Sequence, residues 1–309
     1  MKKLSIIFAI LIFGAGIAII SCTKEATPTP PAVTTATDAV VVDNTVADLT
    51  GIIEGYEAVN PSAFVDPTAT TKAMVVDPTT VTLHPKRIDS CATVTLTKTT
   101  VVTASVITGA TLTLKIDFGT TGCLDKNGVA RRGTITSTYT WVKLGGWSRT
   151  SLMNLYISDV HHVGYLTSSF GVTGANNHAY LTEAAAMVVT AKDSTKKSWN
   201  SNRQRELVEG NSPTTLVKIW KITGSSAFTN VAGDKSTYTI SEPLYRKSDC
   251  NGYVAGTIVT VSTAGVTTTI DYGPFTTYAA LTCTTGFTIK VPAGANGKGA
   301  FSNFIKFGK

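Results

Sequence analysis

The sequence predicts a mainly β protein: an antiparallel meander, folded as a sandwich or an open half-barrel, with one α-helix ahead of it. Three observations predict this. Charged residues make up only 15% of the 309 residues while threonine is abundant, and β-branched residues with few charges favour strands over helices. From residue 91 onward, short segments of alternating or β-branched character recur, separated by Gly, Asn and Asp turns. Only one stretch, near the N-terminus, repeats its apolar residues at helical spacing.

The elements follow in order. Residues 1–21 carry Lys2 and Lys3 and then an apolar run from Leu4 to Ile20. That run is near the lower limit for spanning a bilayer, about 17 residues. A basic start, a short apolar core and a small residue at the cut describe a signal peptide better than a membrane anchor. The tetrad Ile19-Ile20-Ser21-Cys22 resembles a bacterial lipobox. The resemblance implies cleavage before Cys22 and a palmitate-bearing diacylglycerol on its sulfur, hence stable tethering to a lipid bilayer. Thr23 stands where Asp often signals inner-membrane retention. The implied address is therefore the outer membrane, on either its periplasmic or its surface face. Residues 22–42, with Pro28, Pro30 and Pro31 among Thr and Ala, read as an extended tether.

Residues 43–60 form the helix segment. Val46, Leu49, Ile52, Ile53 and Tyr56 recur at helical spacing, Asp43 or Asn44 caps the start, and Asn60-Pro61 ends it. Gly51 and Gly55 lie inside the pattern. Residues 61–88, with Pro61, Pro67, Pro78 and Pro85, read as an extended connector. The β domain is 89–292, in one piece or as halves of about 89–175 and 176–292. Strands are expected at 91–97, 111–117, 132–141, 148–158, 163–170, 186–191, 198–208, 217–223, 236–240, 252–262, 266–272 and 286–291. Residues 184–187 are a candidate short helix. The turns between are Lys126-Asn127-Gly128, Gly145-Gly146, Asn176-Asn177, Gly233-Asp234 and Ala264-Gly265. No helices separate the strands, so parallel crossovers are not expected. Residues 293–309 read as a Gly-rich tail.

Beyond Cys22 there are four cysteines, Cys91, Cys123, Cys250 and Cys283. An even number in an oxidising compartment suggests two disulfides, with three pairings open. An internal echo favours the local pairing. Asp89-Ser90-Cys91, a Thr/Val strand, Ile116-Asp117-Phe118-Gly119 and Cys123 are matched by Ser248-Asp249-Cys250, a Thr/Val strand, Ile270-Asp271-Tyr272-Gly273 and Cys283. Each reads as a hairpin with a cysteine at either end, which brings the two close together. Metal-ligand spacings of the CxxC or HxxxH type are missing, and no cofactor is expected.

Several of these segments together resemble a family of Bacteroidota outer-membrane and surface lipoproteins. They are Ile116-Asp117-Phe118-Gly119, Asn127 to Ile135, Trp199-Asn200-Ser201-Asn202-Arg203-Gln204-Arg205, Pro243-Leu244 and Ile270-Asp271-Tyr272-Gly273. The likeness covers about residues 40–290. It implies an envelope address and brings no established activity. The nine residues between Gly273 and Cys283 depart from the family's tighter spacing. If the sheet is an open half-barrel, the helix stripe would lie in its concave side, as in lipoprotein carriers.

Candidate sites are few. Arg203 and Arg205 lie two apart on a strand and share a face with Trp199 and Ser201. This is a candidate cationic, aromatic-edged face for an anionic or carbohydrate ligand; the structural alternative is an exposed face paired with neighbouring acids. Asp117 and Asp271, with Glu206 and Glu209, are the carboxylates available for glycan hydrolysis. Asp before aromatic-Gly is also a turn former. His161 and His162 are adjacent, so they point to opposite faces; His84 and His178 are isolated. Tyr139, Trp141, Trp147 and Tyr156 are candidates to line a groove. No catalytic elbow or phosphate loop is present. The net charge is +7, or +5 without Lys2 and Lys3, and the basic residues are scattered, which argues against nucleic acid. The expected function is a non-catalytic, membrane-anchored envelope module that binds or scaffolds a glycan or an envelope protein. The alternatives are a secreted glycan-acting hydrolase and a fimbrial or adhesin-type subunit.

Overall fold

A computed structural model describes residues 31–59, 91–103, 106–124, 128–142, 146–173, 178–210, 217–250, 252–283, 286–292 and 301–306. Cys22, the connector 61–88, His84 and residues 293–300 lie outside the described residues. One helix, α1 (Pro31–Val59), precedes the strands. These are β1 (Thr93–Thr103), β2 (Val106–Asp117), β3 (Cys123–Leu124), β4 (Ala130–Val142), β5 (Gly146–Ile157), β6 (Val160–Thr173) and β7 (His178–Thr190). Then come β8 (Lys196–Glu209), β9 (Ile219–Thr229), β10 (Lys235–Lys247), β11 (Tyr253–Ser262), β12 (Thr267–Asp271), β13 (Gly286–Val291) and β14 (Phe301–Lys306).

The fold is the expected one. Every strand pairs antiparallel with its neighbour in the chain, in the order β1-β2-β4 through β14, with β3 pairing off the path against β4. The sheet is not closed into a barrel. Each of the twelve expected strands has a counterpart. Residues 184–187 are strand rather than helix, because they pair along β7 with both β6 and β8. Thirteen residue pairs join β6 to β7, so the sheet runs unbroken across the boundary near residue 175. The tail differs from expectation. Its residues Phe301–Lys306 pair with β13 over six positions and form an edge strand.

The helix also differs. It begins at Pro31, not at Asp43, so residues 31–42 are helical rather than tether. Proline is suited to a first helical position, where its missing N–H has no partner to lose. Thr34, Thr35 and Thr37 are weak helix formers, and burial of Ala36, Ala39, Val40 and Val42 overrides that weakness.

The stripe Val46, Leu49, Ile52, Ile53 and Tyr56 is buried as expected. Burial extends almost all round α1, with Val41 alone among its described large apolar side chains strongly exposed. The reason is curvature. At Asp43 the helix bonds β8 and β11; at Asp48 it reaches β4, and near its end β5. Strands from β4 to β11 would spread over roughly 30 Å if flat, at about 4.8 Å each. Asp43 and Asp48 lie only about 7.5 Å apart along the helix axis, so this short stretch reaches both β11 and β4 only if the sheet wraps it. This is an open half-barrel with the helix in its concave side. Gly224 and Gly256 lie mid-strand at φ +122° and +109°, where a Cβ would meet the Asn202 and Pro243 carbonyl oxygens at 2.4 and 2.3 Å. Only glycine permits that approach, and such positions are where sheets bend.

The disulfides are Cys91–Cys123 and Cys250–Cys283, with Cα–Cα distances of 5.7 and 5.3 Å. Each closes a loop of about thirty residues and should contribute on the order of 2–4 kcal/mol. Reduction is expected to lower the urea midpoint of unfolding; an unchanged midpoint would show that the links are not structural.

Candidate functional site

The concave face is where polar chemistry concentrates. The helix carries Asp38, Asp43, Asp48, Glu54 and Glu57, and no basic residue. Each carboxylate meets a cation of the sheet. Asp38 pairs with Lys197 at 2.7 Å, Asp48 with Arg131 at 2.8 Å, and Glu57 with Arg149 at 2.9 Å. Glu54 pairs with Arg205 at 2.9 Å and faces Arg246 at 4.0 Å. Arg203 holds Asp43 through both guanidinium nitrogens, at 2.7 and 2.9 Å. Tyr253 completes that pair: its hydroxyl accepts from Arg203 and donates to Asp43. Tyr139 donates to Glu57. From the sheet itself, Glu183 on β7 accepts from Arg205 at 3.0 Å.

This is where the candidate ligand face goes. Trp199, Ser201, Arg203 and Arg205 do share one face of β8, as the alternation required. All four are buried beneath α1, so the face is not open to a ligand. Arg203 lies over the Trp199 ring and Arg205 over Trp220, at 5.6 and 4.4 Å. Aromatic walls favour a guanidinium in a low-dielectric site. A cavity of about 30 Å³ lies between helix and sheet here, lined by Asp43, Thr50, Glu183, Ser201, Arg205 and Tyr253 among others. That holds a water or two and no organic ligand.

Electrostatics follow from this packing. Burial would raise the Glu54 carboxyl; Arg205, Arg246 and Arg149 outweigh it and hold it below its usual value of 4.5. Burial drives the Tyr253 and Tyr272 hydroxyls upward, so both stay protonated. His162 is buried against Leu155 and Val189 in register. Burial, helped by the neighbouring His161, pushes it down to about 4. His161 points the other way, stacked on Tyr156 and bonded to Asn154.

The carboxylates considered for hydrolysis do not converge. Asp117 accepts from the Gly119 amide at 2.9 Å, and Asp271 from the Gly273 amide at 2.8 Å. Phe118 and Tyr272, the aromatics between, are buried, and each Asp-aromatic-Gly unit bonds a mid-strand glycine of an adjacent strand, Gly133 on β4 or Gly256 on β11. The echo is a duplicated strand-end device. The Gly119 amide, more than Lys115, keeps Asp117 low; partial burial would raise Asp271, and Lys290 and the Gly273 amide keep it low. Both lie on the outer face, on strands nine steps apart in the sheet order. Glu206 pairs with Lys221 at 3.7 Å, and Glu209 is exposed at the end of β8.

The groove aromatics are mostly core. Tyr139 and Trp141 are buried, Trp147 packs against the core beside Phe170, and Tyr156 lies under Arg132 and His161. Asp249, Cys250 and Cys283 come together, but both sulfurs are spent in a disulfide. The side chain of His178 lies outside the described residues. Comparison with protein-family models, curated proteins and solved structures found no match to this chain.

Removing one partner of a buried pair leaves an unpaired charge, at a cost of about 3–5 kcal/mol, whereas replacing both with apolar residues is often neutral. Arg203→Ala should therefore destabilise by that amount in urea titration, and the double change Asp43→Leu with Arg203→Met by much less. Equal losses would show that packing, not pairing, holds the helix. The pH dependence has two arms. His162 has a folded value of about 4 against 6.5 unfolded, so unfolding takes up a proton between them and stability falls as pH drops from 6.5. Glu54 is also depressed, so its contribution is present above 4.5 and lost below it. Thermal melts across pH should show both arms, and His162→Phe should remove only the upper one.

Proposed function

We propose that the chain is a membrane-anchored envelope lipoprotein whose folded part is a non-catalytic, β-rich binding or scaffolding module. The observation that carries this reading is the occupancy of the concave face by the chain's own helix. Half-barrels offer a trough; this trough is filled by α1 and neutralised by its five carboxylates. A partner is therefore met on the outer face or at the sheet's two edges. The non-catalytic part is supported by the candidate carboxylates: Asp117 and Asp271 are each committed to a turn, Glu206 pairs with Lys221, and Asp117 and Asp271 lie nine strands apart. The anchored part is supported by the sequence ending in Cys22. With the helix beginning at Pro31, the Pro/Thr-rich stretch left to act as a tether is 23–30.

Labelling cells with radioactive palmitate tests the anchor. The full chain is expected to take label and to fractionate with the outer membrane, and Cys22→Ala to do neither. Equal labelling of the two proteins would sink the reading.

A further inference from the structure

The outer face of the sheet is unusual in what it lacks. In register, Thr97, Thr113, Thr138, Thr150 and Thr167 stand side by side across β1, β2, β4, β5 and β6. The next row is Thr99, Thr111, Thr140, Ser148, Ser169 and Thr182. Neighbouring strands are about 4.8 Å apart, and alternate residues along a strand about 6.7 Å. The result is a grid of hydroxyls. On the other side of the first row runs Thr136, Leu152, Tyr165, Ala186, Asn200 and Ala227, and beyond it Thr134, Asn154, Val163, Val188, Ser198 and Thr229. From β4 to β9, none of the residues in these four rows is charged. Charge on this face lies outside that block: Arg132 and Lys196 at one end, Glu206 and Lys221 at the other, and the Lys115–Asp117 pair beside it on β2.

Threonine is a good strand former and Thr–Thr pairs stabilise sheets, so the hydroxyls alone need no ligand. The island among them does. Leu152, Tyr165, Val163 and Val188 are 58%, 43%, 42% and 42% exposed. They are cross-strand neighbours: Leu152 opposes Tyr165 and Val163 opposes Val188. A contiguous exposed apolar patch rimmed by polar residues marks an interaction site or a ligand-binding groove.

We propose that this outer face, centred on Tyr165, binds a neutral linear polysaccharide. A pyranose ring has an apolar C–H face and a rim of hydroxyls. The island matches the first, and Thr150, Thr167, Asn154, Ser198 and Asn200 match the second. The lack of charge disfavours polyanions, which seek Lys and Arg. The sheet curves around α1, so a flat crystalline surface would touch few strands, whereas a flexible chain follows a row across them. A protein partner is disfavoured by size, since a stable interface uses about 20–30 residues a side and the island has four. Single sugar contacts are weak, and repetition along the chain supplies the avidity. The proposal rests on the reading of the chain as an envelope binding module.

The test is co-sedimentation of the full chain, in detergent, with amorphous cellulose, colloidal chitin, mannan and a β-1,3-glucan, and salt titration against soluble alginate. Retention on at least one neutral polymer is expected, insensitive to salt. Tyr165→Ala and Leu152→Lys should each weaken it on the order of tenfold, with unchanged thermal melts because both positions are exposed. No retention on any neutral polymer would overturn the proposal, as would equal retention by the variants or salt-sensitive binding to alginate alone. Self-association lost in Tyr165→Ala would overturn it too, assigning the face to a second copy. The palmitate experiment reads the anchor independently, so loss of the polysaccharide and loss of the envelope reading are separable.

Discussion

A helix bearing five carboxylates and no cation is packed into the concave side of a sheet that supplies the matching guanidinium and ammonium groups. Neither surface is tolerable alone. The trough without the helix would expose Leu112, Leu114, Met153, Trp199 and Ile258 together with buried arginines. The helix without the trough would expose an apolar surface that covers most of its circumference. Apolar burial supplies most of the attraction, because it scales with area removed from water. The charges do something else. Removing them from water offsets much of what their pairing gains. What they contribute is position. A purely apolar helix in a smooth apolar trough would be free to slide and rotate, whereas a turn of this one by a single residue would strand carboxylates and guanidiniums in a dry interior.

That constraint explains how polar groups are distributed over the two faces. Inside, polarity is ionic and paired, and it sits where the helix needs it. Outside, over most of the meander, polarity is hydroxyl and amide. The two disulfides tie the strand entering each echo to the segment leaving it, and the Asp-aromatic-Gly units lock the same places by hydrogen bonds. A sheet rich in small β-branched residues is thus held by its helix, its crosslinks and its turns as much as by the bulk of its side chains.

Much of this was legible from residues. Period-two alternation and Gly/Asn/Asp turns located the strands of the meander, and cysteine spacing with the echo located the disulfides. Helical spacing from Val46 to Tyr56 located the second half of α1. The first half was hidden because its threonines and proline favour other conformations, and only tertiary burial makes it helical. The edge strand β14 was hidden by the glycines before it. The reading of Arg203 and Arg205 as outward-facing failed for a general reason: strand arginines are expected to face water. Two signals spoke against it. On β8 the arginines share their parity with Trp199 and Leu207, while the other parity from Ser198 to Gln204 is wholly polar. And an acid-only helix, flanked by apolar residues at every turn, requires cations from elsewhere.

The order of these elements along the chain has a consequence for how the molecule assembles. The long-range hydrogen bonds of the helix described above run to residues 82 to 210 positions later. The strands, by contrast, pair with sequence neighbours. The hairpins can therefore form from local contacts, whose loop-closure entropy is small, while the helix, ahead of all the strands in the chain, meets ionic partners first on β4 and β5 and later on β8 and β11. The seat of α1 is complete only when the strands from β4 to β11 are in place. A segment whose partners lie so far along the chain benefits from carrying charge of one sign, since like charges keep it from collapsing on itself or on its copies before its partners arrive.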